Sequence, residues 1–154
     1  MKSQQRVKEL GEVFTPPELV NQMLDKLPTD IWQDPAKTYI DPTCGNGNIL
    51  VEIFARLVKY HTKEHILENQ LFGADIMADN IMECIERLYG PGDIQPTDIP
   101  KEFQTPGILG MFTHNGQLVR NIVQADGLVY NYSFGRPIEF DEYTEELNQL
   151  FEWS

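Results

Sequence analysis

The sequence predicts an α/β protein with a mostly parallel sheet. Short apolar runs alternate with amphipathic helical patterns between residues 16 and 128, and this alternation is typical of parallel strands joined by helical crossovers. The 41% hydrophobic content over 154 residues is enough for a packed core. We therefore expect a single domain over residues 1–154.

The helices and strands are expected in a regular order. Apolar residues at three- and four-residue steps predict a helix over 16–27, with Thr15 as its candidate N-cap before two prolines. Later segments predict strands over 38–40, 71–76 and 118–124, with helices over 49–57 and 77–88.

Two segments depart from this pattern. Residues 91–111 are rich in Pro, Asp and Thr without a lasting period, and this composition predicts a long loop or insertion. Residues 129–154 form an acidic tail, in which apolar residues at helical spacing over 141–153 predict an amphipathic helix. These apolar residues are Tyr143, Leu147, Leu150 and Phe151.

Charge and cysteine content exclude several classes of function. Twelve basic and 24 acidic residues give a net charge of -12, so we expect nucleic-acid binding only with a partner. The two cysteines, Cys44 and Cys84, lack metal-ligand spacing, so no metal site is predicted. No apolar run suits a signal peptide or a membrane span, and a cytoplasmic location is expected.

A glycine pair follows the first predicted strand. Gly45 and Gly47 allow positive φ and close approach of a ligand to the backbone, although Gly-x-Gly alone is a weak signal. A dinucleotide site is disfavoured because Leu50 replaces the third glycine and Asp75 lies 28 residues beyond Gly47. No Gly-Lys-Ser/Thr follows, so a P-loop is excluded. The loop therefore suits a ligand without phosphates.

An aspartate stands at or just past the end of each predicted strand. Asp41, Asp75 and Asp126 are expected to converge on one rim, since ligands of parallel sheets bind at the carboxyl ends of the strands. Asp75 is placed to accept hydrogen bonds from a ribose diol, or else to cap the next helix in competition with Asp79. Asp126 is either a ligand-binding residue or the first residue of a simple Asp-Gly turn.

Together these segments resemble the class I S-adenosylmethionine-dependent methyltransferases, most closely their N6-adenine DNA methylase branch from phages and restriction-modification systems. The resemblance rests on four motifs in order, Phe14-Thr-Pro-Pro17, Asp41-Pro-Thr-Cys-Gly-Asn-Gly-Asn-Ile-Leu50, Gly73-Ala-Asp75 and Asn121-Ile-Val-Gln-Ala-Asp126. It implies a reduced Rossmann-like methyltransferase fold with strand order 3-2-1, a cofactor-binding core over 38–128, and S-adenosylmethionine as cofactor.

The resemblance also implies a role for each matching residue. The methionine end of the cofactor would be bordered by Phe14, Thr15 and Pro16. The methionine and ribose would be wrapped by the loop of Asp41, Pro42, Thr43, Cys44, Gly45 and Gly47. The ribose hydroxyls, the adenine ring and the adenine amino group would contact Asp75, Ile76 and Asp126, respectively.

One family motif is missing. Adenine methylases of this branch carry Asn/Asp-Pro-Pro-Tyr/Phe, and the nearest segment here, Asn131-Tyr-Ser-Phe134, lacks both prolines. No catalytic residue is assigned for this reason. Two hypotheses follow: a methyltransferase-like protein related to adenine-N6 methylation of DNA, or an inactive cofactor-binding or interaction module, such as a phage accessory factor in the host cytoplasm.

The implied strand order leaves the first strand at an open edge of the sheet. An uncovered edge of this kind is prone to aggregation. We therefore expect that the tail after residue 129, a second copy of the chain in a homo-oligomer, or a partner subunit covers it.

Overall fold

A computed structural model describes residues 15–136 of the chain. Its helices are α1 (Pro17–Leu24), α2 (Asn48–Leu57), α3 (Lys63–Asn69) and α4 (Ala78–Tyr89), with 3₁₀ helices at Thr29–Gln33 and Lys101–Phe103. Its strands are β1 (Tyr39–Asp41), β2 (Leu71–Asp75), β3 (Ile94–Thr97), β4 (Ile108–His114), β5 (Gln117–Leu118) and β6 (Ile122–Ala125). The predictions for Phe14 and for the helix over 141–153 lie outside the described residues.

The strands form one mixed sheet in the order β1-β2-β6-β4-β3, and β5 pairs with β4. β1, β2 and β6 are parallel neighbours, so the three predicted strands stand side by side in the expected 3-2-1 order. The predicted parallel character holds for only part of the sheet, because β4 runs antiparallel to β6 and β3 antiparallel to β4. Among the described residues β1 pairs only with β2, which confirms the open edge.

The antiparallel part of the sheet lies largely where a loop was expected. Residues 91–111 contain β3, a 3₁₀ helix and the first half of β4, so the prediction of a long loop was wrong. Met111 and Phe112 are both buried, one on each face of the sheet, so β4 has no clear alternation of polar and apolar residues. A two-residue turn at Asn115 and Gly116, both with positive φ, leads from β4 to β5.

The helices agree with the predictions more closely. The helix predicted over 16–27 is shorter, Pro17–Leu24, and Pro16 rather than Thr15 occupies its N-cap, with no capping hydrogen bond from a side chain. Proline at the first helical position has no N–H to be capped, which is one reason that Thr15 is not needed. α3 was not predicted; it is short and polar, and Thr62 caps it by accepting the His65 N–H at 3.2 Å.

Each face of the sheet has its own apolar core. The helices bury one face through side chains that include Leu50, Ile81 and Ile85. Phe72 and Val123 belong to the cluster on the other face, together with residues from the 3₁₀ helix and from segment 127–136. The helical layer therefore holds α2 and α4 directly against the loops that follow β1 and β2.

None of the helices within residues 15–136 is long and apolar enough to span a bilayer.

Candidate functional site at the carboxyl ends of the parallel strands

The three predicted aspartates stand at one edge of the sheet. Asp41 ends β1, Asp75 ends β2, and Asp126 directly follows β6; because these strands are parallel neighbours, their carboxyl ends meet. The loops also touch one another, since a Cβ on Gly127 would lie 3.1 Å from the carbonyl oxygen of Pro42. The turn after β6 thus reaches across the end of β2 to the loop after β1. We call this group of three aspartates and their loops the aspartate rim.

The glycine loop has the positive φ values that the sequence predicts. The need for glycine arises partly from packing against α4, however, and not only from a ligand. Gly45 and Gly47 have φ values of 53° and 95°, which favour glycine. A Cβ on Gly47 would lie 2.9 Å from Sγ of Cys84, a residue of α4. Close packing of the loop on α4 therefore requires this glycine, whether or not a ligand also approaches it.

Asp75 is the hub of this edge. Its Oδ1 accepts the Gly45 N–H at 3.2 Å, and its Oδ2 accepts the Met77 N–H and the Asn80 amide, both at 3.0 Å. Neither Asp75 nor Asp79 is the N-cap that the alternative interpretation predicts, because Met77 occupies that position without a capping hydrogen bond from a side chain. A carboxylate has about four lone-pair sites, so capacity remains for a ligand hydroxyl.

Asp41 lies beside Asp75 and is partly buried. Burial raises the pKa of Asp41 above the ordinary value of 3.8; the N–H of Thr43, donated to Asp41 at 3.2 Å, opposes this shift, and the Asp75 carboxylate adds to it. The negative charge of Asp41 is therefore disfavoured in the folded protein. A positively charged ligand at this edge would relieve the repulsion.

Asp126 makes the turn that the simpler interpretation predicts. Its Oδ1 accepts the Leu128 N–H at 3.0 Å, an arrangement typical of an Asx turn. Within residues 15–136 the other oxygen, Oδ2, has no hydrogen-bond partner. Nearby Ile76 is 54% exposed, so an apolar side chain and a carboxylate acceptor both face solvent at this end of the rim.

Cys44 and Cys84 form a buried pair between the loop and α4. The two residues are 5% and 0% exposed, so Cys44 packs in the interior beside α4. A hydrogen bond with Cys84 and then burial raise the pKa of the Cys44 thiol well above its usual value. The thiol therefore stays protonated and is a poor nucleophile. Among residues 15–136, no cluster of His, Cys, Asp and Glu could hold a metal ion.

The N-terminal motif approaches the glycine loop. The Asn48 amide donates to the carbonyl oxygen of Thr15 at 3.1 Å, so Thr15 adjoins the first residue of α2, while Pro16 is exposed. Within the loop, Oδ1 of Asn46 is buried and has no hydrogen-bond partner in the part of the chain that the structure describes. An unsatisfied buried acceptor is costly, and a ligand N–H is one group that would satisfy it.

Sequence inspection missed the side of α4 that holds this loop. Asn80, Cys84 and Arg87 are spaced four and three residues apart, so they share one side of the helix. Asn80 donates to Asp75, Cys84 fills the space beside Gly47, and Arg87 donates to the Asn46 carbonyl at 3.1 Å and to Asn48 Oδ1 at 2.6 Å. The sequence shows only the spacing of these three residues, and the spacing does not identify the residues that their side chains contact.

Two cavities lie away from the aspartate rim. One, of about 350 Å³, is at the amino ends of β2 and β6, and its lining includes Tyr89 and Asn121. The other, of about 420 Å³, lies between α1 and α2, beside Trp32 and Arg56. Neither of these two cavities is lined by Asp41, Asp75 or Asp126.

The aromatic segment after the rim belongs to the core. Tyr130 and Phe134 are 4% and 1% exposed, and the Phe134 ring lies 5.1 Å from that of Phe72. Asn131 Oδ1 accepts the Ser133 N–H at 3.0 Å, and the Tyr132 hydroxyl donates to the Gly127 carbonyl at 2.6 Å. These contacts hold the segment in place on the sheet.

The fold and the site define an α/β protein in which the carboxyl ends of three parallel strands meet at one edge of the sheet. Proteins of this architecture bind their ligands at such an edge. The family model of the N-6 DNA methylases matches residues 1–84, more than half of the chain. The chain therefore belongs to the N-6 DNA methylase family, and its function is DNA methyltransferase-like. Neither the curated proteins nor the solved structures include a match to it.

Proposed function

We propose that the chain binds S-adenosylmethionine at the aspartate rim and serves adenine-N6 methylation of DNA. The observation that carries this proposal is the meeting of three strand-end aspartates with a positive-φ glycine loop, in a member of the N-6 DNA methylase family. S-adenosylmethionine is the methyl donor typical of that family. It carries a sulfonium and an ammonium against one carboxylate, so its net charge is positive and complements the acidic rim.

Different residues of the rim would contact different parts of the cofactor. Asp75 would accept hydrogen bonds from the ribose hydroxyls through its remaining lone-pair capacity, while its three present bonds hold the loop in place. Asp126 Oδ2 and the exposed Ile76 would contact the adenine amino group and ring. Asn46 Oδ1 is a candidate acceptor for the ammonium group. The cofactor supplies the methyl group, and the protein mainly aligns it with the acceptor amine.

The best single variant is Asp126→Asn, not a change at Asp75. Removal of the Asp75 carboxylate would break three hydrogen bonds, so a loss of binding would not separate contact from collapse of the loop. Asparagine at 126 keeps an oxygen for the Leu128 N–H, and its other atom becomes a donor where adenine needs an acceptor. Asp34→Asn is a matched control, because Asp34 makes the same kind of turn with Ala36 before β1.

Calorimetric titration with S-adenosylmethionine and S-adenosylhomocysteine tests the proposal. We expect micromolar binding by the unchanged protein and at least a tenfold loss in Asp126→Asn, about 1.4 kcal/mol. Asp34→Asn should bind like the unchanged protein, and all three should melt at similar temperatures. Absence of binding by the unchanged protein, or equal losses in the two variants, would contradict a cofactor site at the rim.

A second candidate function is a cofactor-binding or interaction module without catalysis of its own. The burial of Tyr130 and Phe134 favours it, since neither ring is available to stack on a target base. Transfer of labelled methyl groups to adenine-containing DNA separates the two functions. Transfer by the chain alone would exclude a module without catalysis, whereas cofactor binding without transfer by the chain alone fits both functions, because DNA binding is expected only with a partner.

A further inference from the structure

The side of the molecule at β1 carries apolar side chains without cover. Leu19 and Met23 on α1, and Leu27 just past its end, are 48%, 50% and 40% exposed. Their four-residue spacing places them in one row. Ile40, in the middle of β1, is 51% exposed. We call these four residues the β1 flank.

The row on α1 points away from the rest of the helical layer. α1 packs against α2, and α2 packs against α4, which lies over β2 and β6, so the helices follow the order of the strands. α1 faces α2 through Asn21, whose amide donates to Glu52 at 3.1 Å, and through Asp25, which accepts from Arg56 at 2.7 Å. Leu19 and Met23 lie on the opposite side of α1.

Ile40 extends this surface to the other face of the sheet. It pairs in register with Phe72, so both side chains point to the same face, where Phe72 is buried. β1 has only three residues and is followed by Pro42, two features that discourage pairing with a foreign strand. The exposed apolar side chains therefore need a covering segment more than the unpaired backbone of β1 does.

We propose that residues 137–154 of the same chain cover the β1 flank. The described chain ends beside it: the Arg136 guanidinium lies 4.9 Å from the Phe72 ring and donates to the Glu68 carbonyl at 3.0 Å. Phe72 and Ile40 are on neighbouring strands, about 5 Å apart. Four extended residues span about 13 Å, so the chain after residue 136 is long enough to approach Ile40 by Phe140.

The rest of the tail fits the row on α1. Residues 141–153 would span about 20 Å as a helix, whereas residues 19 to 27 extend over about 12 Å. The tail has apolar residues at helical spacing for this contact. A second copy is a poorer occupant, because two chains of charge -12 repel each other, whereas a tethered segment has a high effective concentration.

Photo-crosslinking of the full-length chain tests the tail as occupant. With p-benzoylphenylalanine at position 23, irradiation should give crosslinks within one chain, mapped by mass spectrometry to residues 137–154. The same group in place of Glu86, which is exposed on α4, is the matched control and should give none there. Crosslinks between two chains, no crosslinks to the tail, or equal yields from both positions would overturn the proposal.

A pair of tail variants tests the orientation of the tail. Leu147→Glu with Leu150→Glu places two charges on the apolar side of the expected helix and should abolish the crosslink from position 23. Asn148→Glu with Gln149→Glu adds the same charge on the other side and should preserve it. Circular dichroism verifies that both proteins are folded. A crosslink that survives the first pair, or is lost equally in both, would overturn the proposal whether or not the rim binds the cofactor.

Discussion

At the scale of single residues, the aspartate rim is a place of unfavourable charge. Burial raises the pKa of Asp41, and Asp75 adds to the effect, so the folded state holds the Asp41 proton more tightly than the unfolded chain does. Below pH 3.8 both states are protonated and the group contributes nothing. As the pH rises through 3.8 and then through the folded pKa, the unfolded chain ionises first and stability is lost.

Asp41→Asn should therefore stabilise the protein at neutral pH. The asparagine oxygen still accepts the Thr43 N–H, but the charge is gone, and we expect a rise in melting temperature of roughly 2 °C at pH 7. The rise should shrink as the pH falls towards 4. Thermal melts across this range measure it, with Asp98→Asn as an exposed control that should show no such rise. A rise that is independent of pH would contradict charge as its origin.

The rim could be predicted from sequence at the level of position but not of contacts. Asp41, Asp75 and Asp126 stand at strand ends because a short apolar run precedes each of them, and parallel pairing does the rest. The bonds from Asn80 to Asp75 and from Arg87 to the glycine loop join residues from different elements. No local pattern encodes such pairs, since they depend on how α4 packs over the loop.

At the scale of elements, the turn between β4 and β5 allows the free-energy cost of a positive φ to be measured without a contribution from steric clashes. Gly116 has φ 83°, and a Cβ there would meet nothing within 4 Å. Gly116→Ala should therefore lose about 1 kcal/mol of unfolding free energy from strain alone, or about 3 °C in melting temperature. Gly116→Asn should lose less, because asparagine tolerates positive φ. Equal losses in urea titrations of the two variants would contradict this account.

The same hairpin shows what sequence patterns miss. Asn-Gly between two extended segments is among the strongest hairpin signals, yet the Pro, Asp and Thr content of residues 91–111 indicated a loop instead. β3 includes Pro96 and lies at the edge of the sheet, where proline is tolerated. α3 was missed because seven polar-rich residues give too short a period to detect. The parallel strands, by contrast, were visible as apolar runs.

At the scale of the whole molecule, the net charge acts in opposite directions on the two ligands that the proposed function requires, the cofactor and DNA. The chain has 12 basic and 24 acidic residues, and its candidate site is lined by three aspartates. This arrangement attracts a cationic cofactor and repels a phosphate backbone. Cofactor binding is thus expected of the chain by itself, whereas we predict that approach to DNA requires basic residues from a partner.

We accordingly predict that the chain alone shows no binding to a duplex of about 30 base pairs at physiological salt, about 150 mM, at micromolar protein concentration. Fluorescence anisotropy of labelled DNA, with and without S-adenosylmethionine, measures this directly. Because few cations are available, any residual binding should depend weakly on salt. A steep dependence, equivalent to four or more neutralised phosphates, would mean that a local basic surface outweighs the net charge of -12, and the need for a partner would then disappear.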